Sequence, residues 1–248
     1  MMKLLFLIYG LLLGSFYNVV GLRVPLKKSI IKPRSACPYC QHKLTAKELI
    51  PVISYLFQGG KCANCKGPIS PLYPIMELLT GLLFLFAYSH FGLQPELIVA
   101  LTLISLFIII FVSDSKYMII PDKVLLFFAV IFVIERMFIP LSPWWDSFIG
   151  AFVGFTLLLL IAIVSKGGMG GGDIKLFALI GFVGGVKLVL LSFFLSTLFG
   201  AVVGGIGLAI GLFKKGQPIA FGPYIVAGTI LTYFYQNQLL VWYFSLFN

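Results

Sequence analysis

Charge is what this sequence has least of. Of its 248 residues, 10% are charged and 60% hydrophobic, with a mean hydropathy of +1.07. A soluble globular domain carries about 25% charged residues, so that class is excluded and a polytopic membrane protein is indicated. Acids are scarcer still, at eight, against eighteen lysines and arginines. Histidine is nearly absent: His42 reads as a solvated loop residue and His90 as an interfacial one. The glycine-rich stretch MGGGD (169–173) is not followed by Gly-Lys-Ser/Thr, and no G-x-G-x-x-G can be drawn through it, which excludes a phosphate loop. The net charge of +10 would point to nucleic acid in a soluble chain. Here it is explained by membrane topology and attraction to anionic lipid, and no nucleic acid partner is expected.

What is abundant is apolar sequence long enough to cross a hydrocarbon core of about 30 Å. Such runs fall at 4–22, 72–90, 96–113, 124–140, 148–165, 187–213 and 222–244. A shorter run, 174–185, counts either as an eighth span or as a broken, re-entrant half-helix; eight is the preferred reading. The expected fold is therefore all-α, a polytopic membrane protein of about eight transmembrane helices. Three parts are expected: 1–22 as the first helix, 23–71 as a cytoplasmic loop, and 72–248 as the transmembrane core. The first helix lacks a small-x-small cleavage site and runs into the basic GLRVP (21–25), so it is read as retained rather than as a signal peptide.

Orientation follows from the cations. With Met1 outside, nine basic residues between 23 and 66 face inward, together with Lys116, Lys123, Lys166, Lys175, Lys214 and Lys215, leaving Lys3, Arg136 and Lys187 outside. Cytoplasmic loops carry the positive excess, so both termini are expected outside. Trp144 and Trp145 fall where an outer aromatic belt belongs. The small residues of GAVVGGIGLAIG (200–211) predict close helix packing there.

All four cysteines lie in the one long polar loop, as CPYC (Cys37, Cys40) and CANC (Cys62, Cys65), with twenty-one residues between the pairs. This is one residue beyond the usual spacing of four-cysteine zinc sites. Four thiolates leave no open coordination position, so the zinc would be structural. Two disulfides are the alternative, disfavoured in a reducing cytoplasm.

The acids can be sorted by elimination. Glu48 lies in the cysteine loop, Glu96 and Asp146 at outer helix ends, and Glu135 beside Arg136; ordinary solvated or paired roles suffice for these. Glu77, Asp114, Asp122 and Asp173 remain near the inner ends of spans, where a carboxylate is costly and a functional candidate by default. Asp114 ends the third span, which Pro121 closes off, and Asp173 opens the sixth helix after the glycines. Both reach the inner face on separate helices, as the two acids of an aspartyl protease must. The helix N-terminus at Asp173 makes it the carboxylate and Asp114 the protonated partner. The bland alternative is that the glycines end one helix and Asp173 N-caps the next. A different class, an ion-binding transporter or receptor with a zinc-stabilised loop, would also use buried acids.

Six motifs in order resemble one family, the bacterial type IV prepilin peptidases, membrane aspartyl proteases of the GxGD type. They are LLLGSFYNVVGLRVP, the two cysteine pairs, ISPLYPIMELLTG, SDSKYMIIPD, MGGGDIKLFALIG and QPIAFGPYIVAG, the last carrying Pro218, Phe221, Gly222 and Pro223. The resemblance covers nearly the whole chain and places the catalytic pair on Asp114 and Asp173. It makes Asp122 non-catalytic and leaves Glu77 without a role. It implies an inner-membrane enzyme whose substrates are prepilins or pseudopilins, with a basic leader, a glycine before the cut and an apolar helix after it. It also implies N-methylation of the new N-terminus with S-adenosylmethionine, in members that keep the tetracysteine loop.

Overall fold

The computed structural model describes residues 1–166, 168–212 and 219–245. Lys214, Lys215 and Pro218, all used above, lie outside the described residues. The described residues contain eight α-helices and no strand: α1 Met2–Arg23, α2 Ile53–Phe57, α3 Leu72–Phe91, α4 Glu96–Tyr117, α5 Asp122–Phe138, α6 Asp146–Val164, α7 Gly171–Ala209 and α8 Gly222–Ser245. Five of them, α1, α3, α4, α6 and α7, are long and apolar enough to cross a membrane. Large apolar side chains such as Leu126, Phe127, Val130 and Ile134 along α5 stand exposed. That pattern suits a lipid solvent rather than water.

The chain divides into two compact units, Met1–Val112 and Ser113–Asn248. In the first, α1 and α3 cross at Gly10 and Gly81: a Cβ on Gly10 would lie 2.7 Å from the Gly81 Cα. Small residues thus let the two backbones touch. In the same unit the Tyr17 hydroxyl bonds the Ser105 hydroxyl at 2.7 Å. Asn18 donates to the Tyr73 carbonyl at 3.1 Å.

In the second unit, α7 is not one long rod. Phe177 and Phe193 each stand eight residues from Gly185, yet their ring centroids are 6.0 Å apart. On an unbroken helix sixteen residues would separate them by about 24 Å. The chain reverses at Gly185, whose φ of 77° and ψ of −174° no helix contains. Residues 171–184 and 186–209 are two antiparallel helices, and the short apolar run 174–185 is a separate membrane segment. Counted so, eight long helices result.

Breaking a helix in an apolar medium orphans backbone groups, each costing several kcal/mol if left unpaired, on the order of 2–7. Two side chains satisfy two of them here. The buried Arg136 guanidinium donates from Nε to the Val183 carbonyl at 2.8 Å, and the Val186 amide donates to Asp146 Oδ1 at 3.3 Å. Asp146 and the Arg136 beside Glu135 are therefore structural staples of the reversal rather than merely solvated outer residues.

The tightest approach of α6 to α7 is at Gly150, where a Cβ would overlap the Gly181 carbonyl oxygen. The expected packing stripe at 200–211 behaves differently. Among the described residues a Cβ on Gly205 or Gly211 would meet nothing within 4 Å, and one on Gly200 would make only ordinary contact at 3.4 Å. Small residues permit close packing but do not supply the partner that makes it. Trp144 and Trp145 are exposed, as an interfacial belt requires.

Candidate active site and metal site

Asp114 lies in the last turn of α4. Past it, Met118 adopts a left-handed φ of 54°, its amide bonded to the Asp114 carbonyl at 2.8 Å, while the Ser113 hydroxyl donates to the Ile119 carbonyl. The helix is closed by this local clasp. Pro121, expected to close it, instead precedes α5. The carboxyl of Asp114 is buried, and its Oδ2 accepts the Gly222 amide at 2.7 Å. This contact accounts for the Phe-Gly-Pro at the head of α8. A Cβ on residue 222 would lie 2.7 Å from Asp114 Oδ2, so only glycine admits the carboxyl. Pro223 brings no N–H needing a partner, and the Phe221 carbonyl takes the amides of Tyr224 and Ile225 at 3.0 and 3.1 Å.

Asp173 is the third residue of α7, whose N-cap is Gly170. It is thus not the N-cap of its helix. Its carboxyl interacts with the Gly170 amide, as the third residue does in a capping box. The two carboxyls are close enough to repel one another electrostatically. The structure brings Asp114 and Asp173 together, and both face a helix N-terminus. The asymmetry that assigned the proton to Asp114 is therefore absent.

The Ile-Pro-Asp segment supports this pair from behind. Ile120 stands where any side chain on Gly172 would go, its Cβ 2.7 Å from that position. Asp122 Oδ1 accepts Lys175 Nζ at 2.8 Å, joining the first turns of α5 and α7. Both partners are more than half exposed, so the pair is worth about 0–1 kcal/mol. Asp122→Asn is accordingly expected to keep proteolytic turnover within about fivefold of the parent, the rate equivalent of about 1 kcal/mol. A steady-state assay of the variant checks this, and a loss of about 1000-fold, the scale of a lost proton-transfer group, would place Asp122 in the chemistry.

Glu77, which sequence left without a role, is buried at the start of α3 and accepts the Val52 amide at 2.7 Å. Val52 holds a φ of 60°, unusual for a β-branched residue. The carboxyl therefore ties the middle of the polar loop, between the two cysteine pairs, to α3.

The cysteines form two copies of one knuckle, offset by twenty-five residues. The Cys37 amide donates to the His42 carbonyl and the Gln41 amide to the Cys37 carbonyl, at 3.0 and 2.9 Å. The Cys62 amide likewise donates to the Gly67 carbonyl and the Lys66 amide to the Cys62 carbonyl, at 2.8 and 3.0 Å. Gln41 and Lys66 both take left-handed φ, 57° and 59°. The four sulfurs lie within 4.8 Å of one another, with Cys37 to Cys65 at 3.7 Å and Cys40 to Cys62 at 3.9 Å. A tetrahedron of bonds of about 2.3 Å to zinc has edges of about 3.8 Å, whereas a disulfide needs about 2.05 Å. The cluster fits a metal ion and not two disulfides. The Gly67 amide acts to lower the Cys65 thiol, but the neighbouring sulfurs and burial outweigh it and push the thiol up to about 11. A cation among the sulfurs would relieve that repulsion. His42 is not a ligand: its Nε2 meets Glu48 Oε2 at 3.2 Å, and the Thr45 amide and hydroxyl also bond that oxygen, holding Glu48 below the ordinary carboxylate range.

The fold and site define a helical membrane protein with two aspartates at helix ends, within electrostatic reach of one another, and a tetracysteine knuckle pair. Comparison with known proteins agrees on the class. Residues 8–91 match the bacterial peptidase A24 N-terminal domain, and residues 101–205 match the type IV leader peptidase family. A "Prepilin leader peptidase/N-methyltransferase" of Bacillus subtilis is 47% identical over 246 residues, covering 99% of each chain. Relatives of the same name from Pseudomonas aeruginosa and Neisseria gonorrhoeae are 34% and 33% identical, covering 90% of this chain and 87% of theirs. The chain belongs to the type IV leader peptidase family. No solved structure matches it.

Proposed function

We propose that this protein is a membrane aspartyl endopeptidase that removes the leader from prepilins or pseudopilins at the cytoplasmic membrane face. The meeting of Asp114 and Asp173, carried by two separate helices, supports this reading above all. Two carboxyls within electrostatic reach cannot both ionise freely. One takes a proton from water as the water oxygen attacks the scissile carbonyl carbon; the other gives its proton to the carbonyl oxygen. Collapse of the tetrahedral species then expels the new amine, whose nitrogen takes the proton the first carboxyl had received from water, while a hydroxyl of the intermediate returns a proton to the second carboxyl. The pair titrates as a unit.

The enzyme also N-methylates the new N-terminus, a reading supported by the names of the relatives and by the retained tetracysteine loop. S-adenosylmethionine is the donor by family resemblance alone. Zinc held by Cys37, Cys40, Cys62 and Cys65 is the structural ion of that loop. The distribution of lysine and arginine supports N- and C-termini outside and a location in the bacterial inner membrane. Residues 1–22, 23–71 and 72–248 serve as first helix, metal-binding loop and protease core.

The test is incubation of the purified protein with a prepilin, with and without S-adenosylmethionine, read by mass spectrometry. A single cut after the leader glycine is expected, followed by the mass gain of one methyl group only with the methyl donor. Ion binding with an intact prepilin would favour the transporter reading.

Replacing Cys37 or Cys62 by serine is expected to remove the metal, measured by elemental analysis of the purified protein. It should also lower methylation more than cleavage. Parent protein free of zinc would overturn the assignment of the ion.

A further inference from the structure

We infer that α2 is an interfacial anchor: its outward face enters the head-group layer of the bilayer and pins the polar loop to the membrane between its two cysteine knuckles. The inference goes beyond the peptidase reading and stands on the first unit alone.

The helix is amphipathic the wrong way round for water. Ile53, Leu56 and Phe57 share one face, at i, i+3 and i+4, and are 51%, 70% and 86% exposed. The polar Ser54 and Gln58 are half-buried, together with Tyr55. A 3₁₀ turn at Lys47–Leu49 packs against α2, and Leu49 and Ile50 at its end are exposed as well. Five large apolar side chains between residues 49 and 57 thus stand on the outside of the protein. A patch of this kind marks contact with a membrane or another protein.

Depth and charge select the membrane. Val52, the residue before α2, donates its amide to Glu77 Oε2 at 2.7 Å. Glu77 is the sixth residue of α3, a helix long and apolar enough to cross a membrane. Ile75, Leu78 and Leu82 of that helix are exposed, and on a span such side chains are covered by acyl chains. α2 therefore starts beside the first two turns of a span, level with side chains that already face lipid. Its five residues advance about 8 Å, which is about the depth of one head-group layer. A protein partner would suit the apolar face but not this level.

Charge points the same way. Lys47 and Lys61 flank the patch, and both are exposed. From 23 to 71 the chain carries nine basic residues and one acid, Glu48, which is engaged by Thr45 and His42. Apolar side chains rimmed by lysines are the pattern of a segment lying in an anionic membrane surface. The lysines reach the phosphates while Ile53, Leu56 and Phe57 enter below them.

The test places a photo-crosslinking benzoylphenylalanine at position 57 of the full chain, reconstituted without substrate into vesicles of phosphatidylglycerol and phosphatidylethanolamine. Illumination is expected to add the mass of one phospholipid at that residue. The same side chain at position 39, exposed in the same loop but on a knuckle, is expected to give no lipid adduct. Absence of lipid at 57, adducts there only to a second copy of the chain, or equal lipid adducts at 57 and 39 overturn the anchor. A second measurement uses Leu56→Glu combined with Phe57→Glu, which alters two exposed side chains and leaves the packed interior of the unit intact. In vesicles, trypsin is expected to cut after Lys61 at least about tenfold faster in this variant than in the parent, because drawing either side chain out of lipid is worth at least that factor. Equal rates overturn the anchor. Neither measurement involves catalysis, so failure of the anchor leaves the peptidase reading untouched.

Discussion

Asp114→Asn and Asp173→Asn are each expected to lower prepilin cleavage by at least about 1000-fold while the protein folds and inserts normally. An amide matches the carboxyl in size but cannot cycle a proton, and proton transfer by a positioned group contributes about 10²–10⁴ in rate. The double variant should lose little beyond either single one, because the two acids act as one device. The variants separate folding from chemistry in different ways. The side-chain amide introduced by Asp114→Asn would still offer an oxygen to the Gly222 amide that bonds Asp114 at 2.7 Å, so the head of α8 keeps its partner. Asp173 sits in the first turn of α7, and an asparagine there still accepts from a backbone amide. Cleavage by mass spectrometry, with thermal unfolding as the control for folding, decides the matter. Retained turnover in either single variant would take that residue out of the pair.

The sequence singled out Asp114 and Asp173 as candidates because acids are rare in it. With eight acids in 248 residues, elimination reaches Asp114 and Asp173 before any likeness to known proteins is used. The two cysteine pairs were equally legible, since their spacing already describes a closed tetrahedral site, and the structure adds the duplicated hydrogen-bond pattern. Their partners were not legible. Nothing local in FGP announces that the Gly222 amide meets a carboxyl 108 positions away, although a Gly-Pro at a helix start is the signal that was available. Glu77 showed only as a costly acid, because its partners, the Val52 amide and the Ser15 side chain, lie 25 and 62 positions away with no local signature.

The preferred count of eight agrees with the structure, but whether 174–185 is a span or a half-helix stayed open in the sequence for a related reason. Hydropathy measures how apolar a run is and not where it turns, so the short run 174–185 reads equally as a full span or as a half-helix beside the run 187–213. The turn is settled by tertiary partners, Arg136 and Asp146, which sequence alone placed in the ordinary solvent-facing class. Likewise the small residues at 200–211 resemble the crossing at Gly150 and Gly181, and only the presence of an opposing backbone distinguishes them.

Gly185→Ala is expected to be the most damaging single methyl group in the second unit. The left-handed φ of 77° costs a residue with a Cβ about 1–2 kcal/mol. The added Cβ would also overlap Asp146 Oδ2, so the carboxyl must withdraw and the Val186 amide loses its acceptor. An unsatisfied buried amide costs about 1–3 kcal/mol, which brings the total to about 3 kcal/mol and the expected fall in Tm to about 10 °C for a chain of this size. Cleavage should fall too, because the limb that Gly185 turns is the one that carries Asp173. Gly205→Ala is the control: it lies in the second limb with nothing among the described residues within 4 Å of an added Cβ, and alanine there should be neutral or stabilise by about 0.5–1 kcal/mol. Asp146→Ala combined with Gly185→Ala should cost less than the two single changes added together, since the clash disappears with the carboxyl. Thermal unfolding of the four variants in one detergent measures all of this. A Gly185→Ala protein as stable as the parent would mean that the chain does not reverse there, and the eight-helix count would fall with it.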